Sequence, residues 1–470
     1  MNKLLRLRVS MRSWQKSIAL LYIILVTVLM ASCVTTEVEA MITDRSLFTG
    51  NLVTYDFLWP EGRDREWEED ILHFARFTLL SHPLLRVTPT RVYPSPDYSL
   101  LNRHTLIDFT TEDFHEASLK HAFLDEINKL IVGIPALRDA EIVLYMSSIA
   151  ALLNDVHTGF LLINLFQHPI FDEVYPFKFH AFYDGLFVRS AYSSYGHALY
   201  SRLLAINGVK IDEIIQRFAY IIPHESEYFV RRMTSEFIFI REMLEFIDVA
   251  DTIETTFTFD DRRGGVFCIT TRVFRRNFLQ DNMISYSVDR GAFLKHSRPE
   301  RVWYNYIPEY SMIYLRVHQN SLGERLPQIP ALPIERFVID FRNNPGGHWN
   351  PFINQIASHL AEESERISRI YVLIDNYSSS AAVIMPALLR QYFEKVVLVG
   401  ENANQPPNMF GGGASRRLPN SDLSFRVSTQ LTRSWPDYLY NVLQPDIFIP
   451  MTFEDYVNLR DPVLEYIKTR

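Results

Sequence analysis

Cysteine is nearly absent from this chain: Cys33 and Cys268 are the only two in 470 residues. That excludes the dense disulfide framework of small secreted domains and any Cys-x-x-Cys metal or redox motif. The 14 histidines contain no His-Glu-x-x-His spacing, so neither a metal nor another cofactor is expected. Basic residues are in the minority, 47 Lys+Arg against 55 Asp+Glu, which argues against nucleic acid as a partner. Long low-complexity tracts and internal repeats are missing too, so disorder is not the organising theme. What the chain does have is apolar bulk. Hydrophobic residues make up 47% and aromatics 13%, with 33 Phe and 24 Tyr, enough for a packed globular protein. At roughly 150 residues per domain the length suggests about three domains.

The N-terminus reads as a processing segment. Lys3, Arg6, Arg8, Arg12 and Lys16 precede an apolar run over residues 18–30 that ends in Ala31-Ser32-Cys33. The run is short for a membrane span, which needs ~20 residues; an uncleaved anchor is the alternative to a signal. The segment resembles a bacterial lipoprotein signal, departing from it at Met30, where such signals usually carry leucine. The resemblance implies cleavage before Cys33, a lipid on its sulfur, and a membrane-anchored lipoprotein of a bacterial cell envelope. Loss of residues 1–32 removes five basic groups and no acidic ones, taking the net charge from −8 to −13. With Cys33 lipidated, Cys268 has no partner and the mature chain has no internal disulfide.

Periodicity divides the chain. Residues 33–165 read as a tether followed by a helical N-terminal region. Phe123, Ile127, Leu130 and Ile131 recur at helical intervals within residues 114–130, and residues 140–153 repeat the pattern. Residues 166–290 are β-rich. There Leu203-Leu204-Ala205-Ile206-Asn207-Gly208-Val209-Lys210-Ile211 gives a strand, an Asn-Gly turn and a second strand, then an amphipathic helix through Phe218. This run resembles the second half of a PDZ-like domain; a plain hairpin and helix is the alternative. Residues 252–274 alternate like paired strands about Arg262-Arg263-Gly264-Gly265. Residues 291–470 change style. Strands at 337–341, 370–374 and 396–399, with helices at 351–361 and 380–393 between them, make a βαβαβ run and a parallel core sheet. The fold class is α/β in this core and α+β overall.

Chemistry gathers where strands of such a sheet end. One loop is Arg342-Asn343-Asn344-Pro345-Gly346-Gly347 and the next is Asp375-Asn376-Tyr377-Ser378-Ser379-Ser380-Ala381-Ala382. Ser380 opens a helix, where orphan NH groups and the positive dipole end favour developing negative charge. The alternative is that the three serines cap the helix. Gly346 and Gly347 let a carbonyl oxygen approach the backbone closely, or simply make a tight turn.

Taken together, Val338-Ile339-Asp340-Phe341-Arg342-Asn343-Asn344-Pro345-Gly346-Gly347, Ser378-Ser379-Ser380-Ala381-Ala382 and Val399-Gly400-Glu401 resemble the core of the S41 peptidase family, which includes C-terminal processing and tricorn-type serine proteases. Asn154-Asp155-Val156-His157-Thr158 is similar to that family's Asp-x-His-Thr motif, and the stretch from Gln444-Pro445-Asp446-Ile447 to Asp461-Pro462-Val463-Leu464-Glu465 is similar to its C-terminal end. The resemblance spans residues 114–465. It implies a ClpP/crotonase-like core and an envelope serine endopeptidase acting on extended or unfolded peptide through an acyl-enzyme. Ser380 would be the nucleophile, with backbone NH groups of Ala381 and Gly346 or Gly347 as the oxyanion hole.

The base needs separate argument, because a serine hydroxyl is a weak nucleophile alone. C-terminal processing members use a lysine about two dozen residues after the serine; here Asn404, Gln405 and Pro406 occupy that stretch, and Lys395 sits at a strand edge. The tricorn-type branch implies a histidine instead, His157, whose ordinary pKa suits proton shuttling. The acid that orients it is open between Asp437 and Glu401. Val383 stands where many relatives carry glutamate, and the loop after Glu401 is altered. These departures keep open a noncatalytic peptide- or partner-binding protein on the same fold and, from the aromatic content, a carrier of apolar ligands.

Overall fold

The computed structural model describes residues 62–86, 112–160, 168–250, 254–280, 282–285, 300–318, 325–330, 332–363 and 365–470. The expected signal segment, Cys33 and the expected tether lie outside them. Helices α1 (Arg63–Ser81), α2 (Glu112–Gly133) and α3 (Asp139–Ala151) come first. In α2 the expected stripe is the buried one: Phe123, Ile127 and Leu130 face inward. Helix α1 escaped the sequence reading because its buried residues Trp67, Phe74 and Phe77 alternate with a dense set of charges.

The middle region is an antiparallel sheet. Its strands are β1 (Phe177–Phe182), β2 (Gly185–Tyr192), β3 (Arg202–Ile206), β4 (Glu254–Asp260), β5 (Val266–Arg272) and β6 (Met283–Ser285). The sheet runs β6-β2-β3-β4-β5, with β1 also on β2 and the short Val209–Lys210 strand on β3. The Asn-Gly turn forms as expected: Asn207 and Gly208 have φ of 48° and 80°, the positive values a tight hairpin turn requires. Helix α4 (Ile211–Phe218) follows, then α5 (Glu227–Phe237). One apolar core joins α1 to α3 with this sheet and with Phe425 and Val427 from the distal part of the chain.

The distal part holds the parallel core. Strands β7 (Val302–Ile307), β8 (Met312–Val317), β9 (Arg336–Asp340), β10 (Arg369–Ile374), β11 (Val396–Gly400) and β12 (Ile447–Phe448) lie in that spatial order. All neighbours pair parallel except β7 and β8. Helix α6 (Asn350–Glu362) connects β9 to β10, and α7 (Ala381–Tyr392) connects β10 to β11. These are the two crossovers expected from the sequence. Period-two alternation sorts the layers: Phe337, Ile339 and Phe341 pack with α6 and α7. Val338, Tyr371 and Leu373 face the opposite layer, closed by Val463, Leu464 and Ile467 of helix α8 (Pro462–Lys468). Among the described residues no helix is long and apolar enough to cross a membrane.

Candidate active site

Both loops leave the carboxyl ends of adjacent strands, β9 and β10, and the side chain of Asp375 stitches them together. It accepts from the NH of Asn343 at 2.9 and 3.0 Å, the NH of Tyr377 at 3.0 Å and the hydroxyl of Ser378 at 3.0 Å. Ser379 NH adds a bond to the carbonyl of Asn344 at 3.0 Å. The strand end beneath is pinned by a buried charge network. Arg342 bridges Asp340 and Asp461, each at 2.8 Å, while Arg316 reaches Asp340 at 2.9 Å. Burial opposes the charge on Asp340, but the two guanidiniums beside it outweigh that and hold its carboxyl well below the usual range. Thus Asp461, from the distal tail, serves the glycine loop while also capping α8.

Ser380 has φ 53° and ψ −118°. Such a conformation costs about 1–3 kcal/mol and is kept only where its surroundings enforce it; it is the geometry of a serine thrust out at a sharp strand-to-helix turn. The three serines divide their work. Ser378 is bonded to Asp375 and to the carbonyl of Phe341, and Ser379 donates to Gln405 Oε1 at 2.8 Å. Ser380 occupies the N-cap position yet makes no side-chain cap bond, so capping does not explain its hydroxyl. Gly346, at φ +97°, lies against it: a Cβ there would come within 2.8 Å of both Ser380 Cβ and Ser379 O, and 3.1 Å of Ala381 N. The NH of Gly346 itself donates to Asn344 Oδ1 at 2.8 Å, which favours Gly347 as the glycine donor. Ala381 is the first residue of α7, where an NH has no intrahelical acceptor.

Gln405 ties this elbow to the histidine. Its Oε1 accepts from Ser380 NH at 2.7 Å, and its Nε2 donates to Glu225 at 3.2 and 3.4 Å. Glu225 in turn accepts from Val156 NH at 3.3 Å, one residue before His157. The His157 ring stands with Nδ1 3.6 Å from Asp155 Oδ1, and Asp155 also receives His157 NH, the Thr158 hydroxyl and His82 Nε2. Burial works against the Asp155 charge, but the two histidines and these donors pull its carboxyl far below the usual range. Glu225 moves the other way, raised by burial and then by the Asp155 charge.

Neither of the other expected acids is among the carboxylates grouped with His157. Asp437 is exposed on the turn after the short strand Gln430–Arg433. Glu401 is buried, accepts from Met451 NH at 3.1 Å, and is pushed up to about 7 by burial and then by Asp375. The carboxylates grouped with His157 are Asp155 and Glu225. Lys395 donates to the Ile367 carbonyl at 2.5 Å, at the opposite end of the strands from Ser380. Val383 is part of the buried apolar face of α7. The roles of Gln405 and Glu225 were missed. The position of Gln405 two dozen residues after Ser380 was a usable signal; Glu225 carries none, because only the fold brings it to His157.

Gln405 is therefore a strap whose loss is measurable. Gln405→Ala leaves the Ser380 NH and the Ser379 hydroxyl without their acceptor and takes one donor from Glu225, and should cost about 1–3 kcal/mol. Gln405→Glu sets a second carboxyl against Glu225 and should cost more; urea unfolding of the two variants checks the order. Glu401 adds a pH dependence. Its folded pKa lies above the unfolded 4.5, so its contribution is complete below pH 4.5 and is lost as pH rises through about 7. Glu242, also pushed to about 7, acts in the same direction. Unfolding free energy should thus fall between pH 5 and 8, and Glu401→Gln should remove about 3 kcal/mol of that fall. An unchanged slope in the variant would refute the assignment.

No protein-family model and no curated protein sequence matches the chain. Solved structures do. Mature CPAF aligns at TM-score 0.52 and 12% identity, over 86% of this chain and 96% of its own. Mature CPAF complexed with lactacystin aligns at TM-score 0.52 and 11% identity, over 86% and 97%. The tricorn protease aligns at TM-score 0.38 and 11% identity, over 86% of this chain and 36% of its own. The chain carries the fold of mature CPAF.

Proposed function

We propose that this protein is a serine endopeptidase of a bacterial cell envelope, held to a membrane through lipid on Cys33, that cleaves extended or unfolded peptide segments. The observation that carries the reading is Ser380: strained at φ 53°, outside any cap bond, and packed against Gly346 at the start of α7. Strain of this kind is maintained where geometry serves chemistry.

In this reading Ser380 Oγ attacks the scissile carbonyl carbon while His157 Nε2 takes its proton. The Asp155 carboxylate, 3.6 Å from Nδ1, stabilises the imidazolium by its charge. The NH groups of Ala381 and Gly347 receive the oxyanion. Collapse expels the amine, which leaves with the proton from His157, and the acyl group stays on Ser380. Water, deprotonated by the same imidazole, then hydrolyses the ester. CPAF forms a complex with lactacystin, as the name of that structure states, which supports a cleft that accepts a ligand here. The test is digestion of a permanently unfolded protein by the purified chain, with the new termini identified by mass spectrometry. Intact substrate in the presence of folded protein would favour a binding function.

A further inference from the structure

His157, Asp155 and Glu225 each offer one ligand atom, and the three atoms lie within 4.8 Å of one another. Asp155 and Glu225 are buried, and the His157 side chain is 11% exposed. Among the described residues His157 Nδ1 has no hydrogen-bond partner and is shielded from solvent. Its separation from Asp155 Oδ1, 3.6 Å, is too long for a hydrogen bond. Two ligands on one tetrahedral zinc, with bonds of about 2.0–2.1 Å, stand roughly 3.4 Å apart. The gap matches the spacing of two ligands on one ion, and Glu225, within 4.8 Å of both, is the third. The third ligand, Glu225, is far from the others in sequence, which is why no metal spacing is legible in the chain.

We propose that Asp155, His157 and Glu225 form an inhibitory site for a divalent transition-metal ion of the zinc type, with its fourth position open to water. One imidazole nitrogen, two carboxylates and an open position make a donor set that zinc accepts. An oxygen-only preference such as that of Mg²⁺ is poorly served by the imidazole. Metal on Nδ1 holds the remaining ring proton on Nε2. That nitrogen then cannot accept the Ser380 proton, so the ion silences the base without touching the serine. The inhibitory consequence rests on the function proposed above; the binding does not.

The test separates the two. ZnCl₂ is titrated into the full chain against a chromophoric chelator, and CoCl₂ serves as a spectroscopic probe. One zinc per chain should be lost or weakened at least tenfold in His157→Ala and Glu225→Gln, and retained in Ser380→Ala. The cobalt form should show the intense visible bands of four-coordinate geometry without thiolate charge transfer, and zinc should raise the thermal midpoint of the parent. Equal zinc affinity in the parent, His157→Ala and Glu225→Gln, or no midpoint shift in the parent, overturns the site. Binding with no peptidase activity under any condition would leave the site standing and refute the proposed function instead.

Discussion

On the proposed function, Ser380→Ala should lower kcat for peptide hydrolysis by about 10⁴-fold or more while leaving the fold intact. The size follows from the role: loss of the attacking oxygen removes the covalent route, and what survives is the contribution of binding and oxyanion stabilisation. The unchanged stability follows from the geometry. An N-cap serine that bonds its helix costs about 1 kcal/mol when replaced by alanine, but the Ser380 side chain makes no such bond, and alanine inherits the same backbone strain. Ser379→Ala should behave in the opposite manner. Its hydroxyl is bonded to Gln405, so stability falls while residual hydrolysis remains. A Ser380→Ala protein that unfolds at lower urea yet still cleaves would return this residue to the role of a cap.

Gly346→Ala is expected to have the second large effect, on both rate and stability. The new methyl would sit 2.8 Å from Ser379 O and from Ser380 Cβ, and alanine is strained at φ +97° in any case. Neither neighbour can yield easily, since Ser379 and Ser380 are both bonded to Gln405. Relief comes only from displacing the glycine loop, and with it the donor at Gly347. Loss of one well-placed oxyanion donor costs about 10²–10³ in kcat, and that is the expected fall. KM should change much less, because the donors act on the tetrahedral species more than on bound substrate. Steady-state kinetics on a single peptide separates the two parameters. A rise in KM with kcat intact would place the glycine loop in substrate binding and not in the oxyanion hole.

How far these features could be read in advance depends on whether local pattern or long-range contact carries them. The βαβαβ core was legible because each element repeats at its own period: Phe337, Ile339 and Phe341 on one face of a strand, and a helix between each pair of strands. Ser380 and the glycine pair were legible for the same reason, since both lie just past buried strands. Helix α1 was not, because charges interrupt its apolar stripe. The acid was left open between Asp437, offered by resemblance at its spacing from Ser380, and Glu401, offered by its place at a strand end, and neither argument says which carboxylate the fold carries to the ring. Asp155 was within the quoted motif, two residues from His157, and its partnership with the ring depends on a turn that only the folded chain displays. Glu225 and Gln405 meet from regions remote in sequence, a juxtaposition no local pattern encodes.

The most direct test of the central claim is covalent labelling with a fluorophosphonate, which reacts with serines activated as nucleophiles, followed by peptide mapping. The account predicts one adduct, on Ser380, lost in His157→Ala as well as in Ser380→Ala. A folded protein that takes no label, or that is labelled at another serine, would contradict it.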